Sequence, residues 1–302
     1  HKVENKNYVF LDLLIAPEAK PGKFTIAMQQ GKKKENITYE LKPRRQGKGT
    51  AYAQGVTSAD FMYLIMPDRF ANGDVSNDKL PNFKDKSFSR DSMYFRHGGD
   101  LKGIESRLDY LDDLGVTALW LNPVIENDMP PTSYHGYAFT NHYKIDPRFG
   151  GDTAYKSVID AMHKRGMKMV QDAVYNHVGT EHFFVQDMPM KDWLNQWPQF
   201  TQTSYRDQVL FDPYASTKDV KRMSDGWFVR SMPDLNHRNP FVANFLIQHA
   251  LWTVEEFGID GWRIDTYAYN DLDFMNRCNV ALLEEYPQLT IFGETWVHGV
   301  PN

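Results

Sequence analysis

The sequence IDGWRID at residues 259–265 predicts one buried β-strand, which follows a helix that ends near Phe257. Alternate residues of a strand share a face, so the side chains of Arg263 and Asp265 point the same way. An Arg two residues before an Asp at a strand end favours the ionised carboxylate and fixes its direction. A nucleophilic carboxylate needs both properties. For this motif taken alone, an Arg–Asp pair that only braces the strand is the alternative.

The same pattern, an apolar run that ends in polar residues, recurs along the chain from Asp60 onward. Such runs predict five strands, at residues 61–66, 116–121, 168–173, 259–265 and 289–293. Helical patterns lie between them, at residues 101–114, 152–165, 240–257 and 272–285. This alternation predicts an α/β fold, the first five strands of a TIM-type (β/α)8 barrel. Residues at about 178–239 are too many for an ordinary loop and predict an inserted excursion domain.

The segment before the barrel has a different pattern. Three β-rich runs alternate with turn-like sequence, at residues 8–15, 23–28 and 37–41. Three strands are too few to close a sandwich, so residues 1–45 predict part of a small N-terminal β-sandwich domain. Residues 46–59 predict a linker, and residues 60–302 the catalytic barrel. Because five strands cannot close a barrel, we expect a fragment of a longer enzyme, or a chain that another chain completes.

Composition and charge exclude several classes of protein. The net charge of −5 at pH 7 and the lack of a basic patch argue against a nucleic-acid partner. Cys278 is the only cysteine, which excludes an internal disulfide framework. No apolar run is long enough to span a membrane, and no signal peptide opens the sequence. The compartment stays open, with cytoplasmic and exported locations as the alternatives.

A second carboxyl group stands at the end of the fifth predicted strand, in IFGETW at residues 291–296. Neighbouring parallel strands lie about 4.8 Å apart, so the Glu294 and Asp265 carboxyls are predicted to be about 5–5.5 Å apart, as in a retaining glycosidase. Asp265 would then attack the anomeric carbon, while Glu294 protonates the leaving oxygen and later activates water. Trp296 would keep the site apolar and Glu294 protonated. The alternative for Glu294 is a solvated acid at a strand end.

Two further motifs carry candidate sugar-binding side chains. DAVYNH at residues 172–177 ends the third predicted strand, and His177 can donate a hydrogen bond to a sugar hydroxyl. SYHGY at residues 133–137 follows the second strand, where Tyr137 can stack on a glucose ring with His135 bonding nearby. The alternatives are an ordinary loop histidine and a packed aromatic loop.

Four motifs, in this order, resemble those of the α-amylase family of retaining α-glucan hydrolases over about residues 60–302. They are DAVYNH (172–177), MPDLN (232–236), GWRID (261–265) and GETW (293–296). The resemblance implies that Asp265 is the nucleophile and Glu294 the acid/base. It also implies that Tyr137, His177 and Arg263 bind the sugar at the cleavage point. The implied substrate is an α-1,4-linked glucan, cleaved with retention of the α anomer through a covalent glucosyl-enzyme.

Within this family the front β-rich segment resembles that of neopullulanases and cyclomaltodextrinases, which implies pullulan, cyclodextrin or starch oligosaccharides as substrates. Their MPKLN motif has Lys where Asp234 stands, and many carry an Asn-Glu pair where residues 266–269 read TYAY. These departures leave a maltogenic amylase or an α-glucan transglycosylase as alternatives. A non-catalytic glucan-binding protein on the same scaffold is a further one. Members of this type often dimerise, so the resemblance also implies a homodimer of the full-length protein.

The family pattern also includes an adjacent His-Asp pair on the seventh strand, whose Asp stabilises the transition state. Residues 1–302 contain no matching segment. This agrees with the expectation that the chain is an N-terminal fragment, and the resemblance therefore does not imply activity of the chain by itself.

A metal site is the other prediction. NGDVSND at residues 72–78 crowds oxygen-bearing side chains together, and GGD at residues 98–100 follows after a loop. Such oxygens are hard ligands suited to Ca²⁺, whereas a hydrophilic turn held by Asx hydrogen bonds is the alternative. The spacing resembles the calcium site of neopullulanase-type members. That resemblance implies a structural Ca²⁺ bound by Asn72, Asp74, Asn77, Asp78, the Gly98 carbonyl and Asp100.

Overall fold

A computed structural model describes residues 1–296 and shows a five-stranded parallel sheet, two antiparallel strand pairs and flanking helices. The strands are β1 (Gly22–Gln30), β2 (Lys33–Leu41), β3 (Met62–Ile65), β4 (Ala118–Leu121), β5 (Ile125–Glu126), β6 (Asn141–Ile145), β7 (Lys168–Ala173), β8 (Gly261–Ile264) and β9 (Thr290–Gly293). The α-helices are α1 (Pro67–Phe70), α2 (Leu101–Glu105), α3 (Leu108–Asp113), α4 (Gly151–His163), α5 (Phe183–Gln186), α6 (Thr217–Asp225), α7 (Pro240–Phe257) and α8 (Leu272–Glu285).

The parallel sheet has the order β3-β4-β7-β8-β9, so each new strand is added beside the previous one. All four residues of β8 are buried, because β7 and β9 flank it and helices cover the outer face. Parallel strands share a direction, so the residues that follow β7, β8 and β9 emerge at one rim. The predicted partial barrel is confirmed, and this rim is where barrel enzymes carry their chemistry.

The two long helices begin and end where the sequence predicts. Asn239 caps α7 by accepting a hydrogen bond from the Phe241 amide, and Pro240 occupies the first turn. The helix ends at Gly258, whose φ of 79° lies in the left-handed region that favours glycine. Asp271 caps α8 in the same way, through the Phe274 amide. Strong caps at both helices explain why their boundaries could be predicted.

The single helix predicted at residues 101–114 is wrong, because the structure has two short helices, α2 and α3. The Ser106 hydroxyl donates to the Gly103 carbonyl at 2.7 Å, a carbonyl that a continuous helix would pair with the Arg107 amide. The Arg107 amide instead donates to the Ile104 carbonyl, and Arg107 leaves helical geometry with φ −115° and ψ 12°. The local serine hydrogen bond therefore breaks an otherwise regular apolar pattern.

The strand predicted at residues 8–15 is also wrong. Its backbone has one isolated bridge, between Lys2 and Val9, and within residues 1–296 no strand pairs along its length. A strand needs a neighbour for its amide and carbonyl groups, so β propensity alone does not form one. The aromatic side chains there pack on the inserted segment instead: Tyr8 and Phe10 lie against Phe184 of α5. The predicted strands at 23–28 and 37–41 do form, as the antiparallel pair β1 and β2.

The inserted segment after β7 contains α5, α6 and two 3-10 helices, joined by isolated bridges such as Leu194 with Leu235. Its proposed limits, like the division into an N-terminal domain, a linker and a barrel, stay predictions. Among the helices within residues 1–296, none combines the length and apolar composition needed to cross a bilayer.

Candidate active site

One guanidinium group joins three carboxyl groups at the rim of the sheet. Arg263 lies on β8, and its Nη1 is 2.8 Å from Asp172 Oδ1 and 2.9 Å from Asp265 Oδ1. Its Nη2 lies 2.8 Å from Glu294 Oε1. The acids come from three adjacent strands, because Asp172 lies on β7, Asp265 follows β8 and Glu294 follows β9. The structure therefore brings together the predicted nucleophile and the predicted acid/base.

The turn after β8 fixes the two predicted catalytic acids to each other. Thr266 has φ 46°, a left-handed conformation that is uncommon for a β-branched residue. Its amide donates to Glu294 Oε2 at 3.0 Å, and its hydroxyl donates to Asp265 Oδ2 at 3.3 Å. Backbone strain held by surrounding contacts is characteristic of functional sites. Sequence reasoning missed Thr266, because no local pattern shows that its amide faces the next strand.

Asp172 is the centre of this network, and sequence reasoning missed it as well. Its side chain is fully buried and also accepts hydrogen bonds from the Tyr137 hydroxyl at 2.9 Å and from Trp120 Nε1 at 3.0 Å. The Arg263 guanidinium lies over the Trp120 ring, 5.0 Å from its centroid. The available signal was position, since Asp172 opens DAVYNH at the end of β7 and emerges at the same rim. Asp172 thus fixes the orientation of Tyr137 and Arg263 through its hydrogen bonds to both side chains.

The charge balance of the site favours an extra proton. Burial, and after it the neighbouring Asp172 carboxylate, raises the pKa of Asp265 to about 7, and Arg263 offsets only part of this rise. Burial likewise raises the pKa of Asp172 to about 6 against the opposing effect of Arg263. Arg263 does favour the ionised Asp265 carboxylate, as expected, but burial outweighs this effect and the net pKa is raised. The predicted aim of the Asp265 side chain toward Arg263 is found.

The predicted sugar ligands form an aromatic layer beside the acids. The His135 ring stacks on Tyr137 with 6.0 Å between centroids, and His177 stacks on Phe228 at 4.9 Å. Burial lowers the pKa of His135 to about 4 and that of His177 to about 3, so both imidazoles are neutral. His177 Nε2 is buried and has no hydrogen-bond partner among residues 1–296. Buried polar atoms are normally paired, so a ligand hydroxyl would satisfy this nitrogen.

Two further residues that the sequence singles out are Trp296 and Asp234. Trp296 packs edge-on against Tyr269, while both oxygens of Glu294 accept hydrogen bonds from N–H donors of Arg263 and Thr266. The expectation that Trp296 keeps the site apolar and Glu294 protonated stays a prediction. Asp234, where relatives have Lys, is buried and accepts from Asn195 Nδ2 at 2.7 Å. Its side chain thus contacts Asn195 of the inserted segment, and its backbone forms an isolated bridge with His177.

The predicted metal ligands also come together, in the loop after β3. The Asp100 carboxylate caps α2 and accepts hydrogen bonds from the amides of Gly73, Asp74 and Gly103. Asn72 Nδ2 donates to Asp78 Oδ1 at 2.7 Å, and Asn77 Nδ2 donates to Asp100 Oδ2 at 3.3 Å. Gly98 has φ 85°, and a Cβ there would lie 2.5 Å from Asp78 Oδ1, so the backbone approaches that carboxylate closely.

Comparison with known sequences decides the family. The sequence model described as "Alpha amylase, catalytic domain" matches residues 64–298, which is more than half of the chain. This chain belongs to the α-amylase family. A second model, described as "Cyclomaltodextrinase, N-terminal", matches residues 1–45.

Two curated relatives of this α-amylase family member show the extent of the similarity. Neopullulanase 2 of Thermoactinomyces vulgaris is 35% identical over 240 residues, covering 78% of this chain and 38% of the relative. Cyclomaltodextrinase of Thermoanaerobacter pseudethanolicus is 32% identical over 310 residues, covering 98% of this chain and 50% of the relative. This chain thus spans about half or less of the length of these curated relatives.

Solved structures of the family share the fold. The α-amylase of Geobacillus thermoleovorans, solved in complex with acarbose, superposes with a TM-score of 0.63 at 33% identity. The match covers 79% of this chain and 47% of that chain.

Proposed function

We propose that this α-amylase family chain carries the nucleophile and the acid/base of a retaining α-glucan hydrolase of neopullulanase or cyclomaltodextrinase type. The observation that supports this most is the single Arg263 guanidinium shared by Asp172, Asp265 and Glu294 at three neighbouring strand ends. An ion pair that only braced β8 would need one carboxylate. The names of the relatives support an α-glucan as the substrate.

In the first step, the ionised Asp265 carboxylate attacks the anomeric carbon while Glu294 gives its proton to the glycosidic oxygen. Tyr137 and His135 present stacked rings, so a glucose ring can lie against them and be held for in-line attack. His177 Nε2 offers its free hydrogen-bonding position to a sugar hydroxyl. Asp172 keeps Tyr137 and Arg263 in place during this step.

In the second step, Glu294 removes a proton from water, and the resulting hydroxide breaks the ester between Asp265 and the sugar. Each step inverts the anomeric carbon, so the product keeps the α configuration. If a sugar hydroxyl takes the place of water, the same two acids carry out transglycosylation.

The first test is initial-rate release of reducing sugar from cyclodextrin, pullulan and soluble starch, with product anomers read by proton NMR. It is run on this chain and on any longer protein that contains it. We expect α-anomeric products, with the fastest substrate naming the subtype. Products longer than the substrate would indicate transglycosylation. Initial β-anomers would refute the retaining mechanism, and glucan binding without turnover by the longer protein would favour the non-catalytic alternative.

We further propose that the loop after β3 binds a structural Ca²⁺. Asn77 Oδ1 is buried without a hydrogen-bond partner among residues 1–296. Burial, and to a smaller extent the Asp100 carboxylate, raises the pKa of Asp78, so a cation there would relieve both effects. Within the same residues no group of three His, Cys, Asp or Glu side chains could hold a metal. The proposed site therefore depends on the amide oxygens of Asn72 and Asn77 and on the Gly98 carbonyl, and the carboxylates of Asp74, Asp78 and Asp100 would have to draw closer as the ion binds.

Chelation is expected to lower the melting temperature. Calcium at 100 times its Kd would contribute about 2.7 kcal/mol, or roughly 5–10 °C at about 2–4 °C per kcal/mol. Thermal unfolding is measured in EDTA and in excess CaCl₂, with metal content read by mass spectrometry. Asp78→Asn should abolish the calcium-dependent shift, whereas the exposed neighbour Asp91→Asn should keep it. An unchanged melting temperature, with no metal in the purified protein, would refute the proposed calcium site.

A further inference from the structure

Three buried histidines meet away from the active site. His142 lies on β6, His182 immediately precedes α5, and His249 lies on α7. Each side chain belongs to a residue no more than 1% exposed. The His142 ring is 5.1 Å from the His182 ring and 5.1 Å from the His249 ring, measured between centroids. We call these three residues the histidine cluster. It joins the β5–β6 hairpin, the start of the inserted segment and a barrel helix.

The hydrogen bonds assign a proton to each ring of the first pair. The Phe184 amide can only donate, and it donates to His182 Nδ1 at 3.1 Å. The neutral His182 ring therefore carries its proton on Nε2. That nitrogen lies 3.1 Å from His142 Nδ1, so it donates there, and the His142 proton must be on Nε2. The pairing works only while both rings are neutral.

The third ring of the cluster, that of His249, contacts Thr253. The Thr253 hydroxyl has one proton, which it donates to the His249 carbonyl at 2.9 Å. His249 Nε2 lies 3.3 Å from the same hydroxyl oxygen, and the His142 carbonyl also interacts with the His249 ring. His142 Nε2 is buried without a hydrogen-bond partner among residues 1–296.

Among residues 1–296, the side chains that pack against the cluster carry no charge that could stabilise an imidazolium. Phe139, Phe184 and Phe245 pack against the rings. The titratable group beside them is Tyr143, whose ring is 5.4 Å from His249 and whose hydroxyl donates to the Phe245 carbonyl.

The charged groups of the neighbouring elements are engaged elsewhere. Asp187, at the end of α5, accepts hydrogen bonds from Asn5 and Asn7. On β6, Lys144 pairs with Glu126 of β5. On α7, Glu255 and Glu256 pair with Arg44 and Lys42 of the N-terminal segment and with Lys156 of α4. Within residues 1–296, none of these groups hydrogen-bonds to the cluster.

We propose that the histidine cluster is an acid-sensitive switch. Protonation of its rings places one hydrogen-bond donor against another, and this repulsion releases residues 178–186, the start of the inserted segment. A proton on His182 Nδ1 would face the Phe184 amide, and a proton on His142 Nδ1 would face His182 Nε2. Phe184 also supports Tyr8 and Phe10 of the N-terminal segment, so release would loosen that contact as well. His177, a predicted sugar ligand, lies five residues before His182, which links the switch to the proposed function.

The sign of the pH dependence follows from burial. Burial lowers the pKa of His182 to about 3 and that of His249 to about 3, the latter partly opposed by the His142 carbonyl. Burial, with His182 and His249, lowers the pKa of His142 well below its ordinary value. An exposed histidine titrates near about 6.5, so below that pH the open state binds more protons than the closed state. Residues 178–186 are fully closed above about pH 6.5. Below that pH, the equilibrium constant for closing falls by about tenfold per pH unit for each histidine.

Hydrogen exchange tests this proposal on the whole chain at pH 7 and pH 5, after correction for intrinsic exchange rates. We expect residues 178–186 to open at least about tenfold more often at pH 5, while α8 stays protected. The variant His142→Asn, His182→Asn, His249→Gln leaves a neutral amide at each position, keeps an acceptor for the Phe184 amide and removes the titration. It should lose the acid-induced opening.

A buried histidine outside the cluster supplies the matched control. His237 Nε2 donates to the Tyr175 carbonyl at 2.8 Å, and its Nδ1 accepts from the Asp271 amide at 3.2 Å. In the His237→Asn variant, residues 178–186 should open at pH 5 as they do in the parent. Equal opening in the triple variant and the parent, or none in the parent at pH 5, would overturn the proposal. Should the triple variant not fold, histidine ring NMR of the parent decides: rings that stay neutral while the segment opens would also overturn it.

Discussion

Asp265→Asn is expected to abolish glucan hydrolysis, with kcat/KM lower by about 10⁴-fold or more, because a carboxamide cannot form the glycosyl ester. Loss of a nucleophile should exceed the about 10²–10⁴-fold that general acid–base catalysis contributes. The fold should tolerate this change well. The pKa of Asp265 is raised by burial, which means that the surroundings already favour a neutral side chain at this position. Activity should fall while the melting temperature is kept.

The measurement is the initial rate on a maltooligosaccharide, together with a thermal melt, in this chain and in any longer protein that contains it. Asp260→Asn is the matched control, because Asp260 lies just before the same strand, at its opposite end. Its carboxylate accepts from the Gln54 amide, the Met169 amide and His163 Nε2. The control should lower the melting temperature and leave kcat/KM nearly unchanged. Activity retained in Asp265→Asn would remove Asp265 as the nucleophile.

Strand ends were predictable from the sequence because their signal is local. Each apolar run that forms a sheet strand is short and is followed at once by polar residues, so Asp265 and Glu294 could be placed at one rim. Parallel pairing then needs no further information to bring them together. The caps Asn239 and Asp271 are equally local, and α7 and α8 were predicted to the residue.

The rest depends on partners that are distant in sequence. Asp172 and Arg263 are 91 positions apart, and only the register of β7 with β8 sets their contact. Residues 8–15 have β propensity, but within residues 1–296 no strand pairs with them. Propensity alone therefore predicted a strand that does not form. The Ser106 hydroxyl that interrupts residues 101–114 depends on a rotamer, which apolar periodicity does not encode.

The shared guanidinium has a consequence for catalysis. With one cation among three acids, the buried site keeps a proton on its carboxyl groups near neutral pH, and burial raises the pKa of both Asp172 and Asp265. Asp265 must be ionised to attack, so the rate should rise with pH through about 7 as this carboxyl loses its proton. The Tyr137 and Trp120 hydrogen bonds to Asp172 favour the ionised form of Asp172. Asp265 is therefore the carboxyl that holds the extra proton more readily.

Glu294→Gln is expected to lower the rate on unactivated glucans by about 10²–10⁴-fold, because the glycosidic oxygen then leaves without a proton. A maltosyl fluoride needs no such proton, so its first step should stay fast in the variant. The glycosyl ester on Asp265 should then accumulate, since no base activates water, and mass spectrometry of the denatured protein would detect it. Azide is already an anion and needs no base, so it should restore turnover and yield the α-maltosyl azide.

The control for this variant is Glu285→Gln on α8, whose carboxylate pairs with Arg44 and Lys48 and is remote from the rim. It should behave as the parent with every substrate. Rescue by azide distinguishes loss of an acid/base from loss of structure, because a misfolded site would respond to neither fluoride nor azide. If Glu294→Gln cleaved maltooligosaccharides at the parental rate, another group would have to supply the proton. If azide instead gave the β-azide, the acid would act in an inverting mechanism, and Asp265 would no longer form the ester.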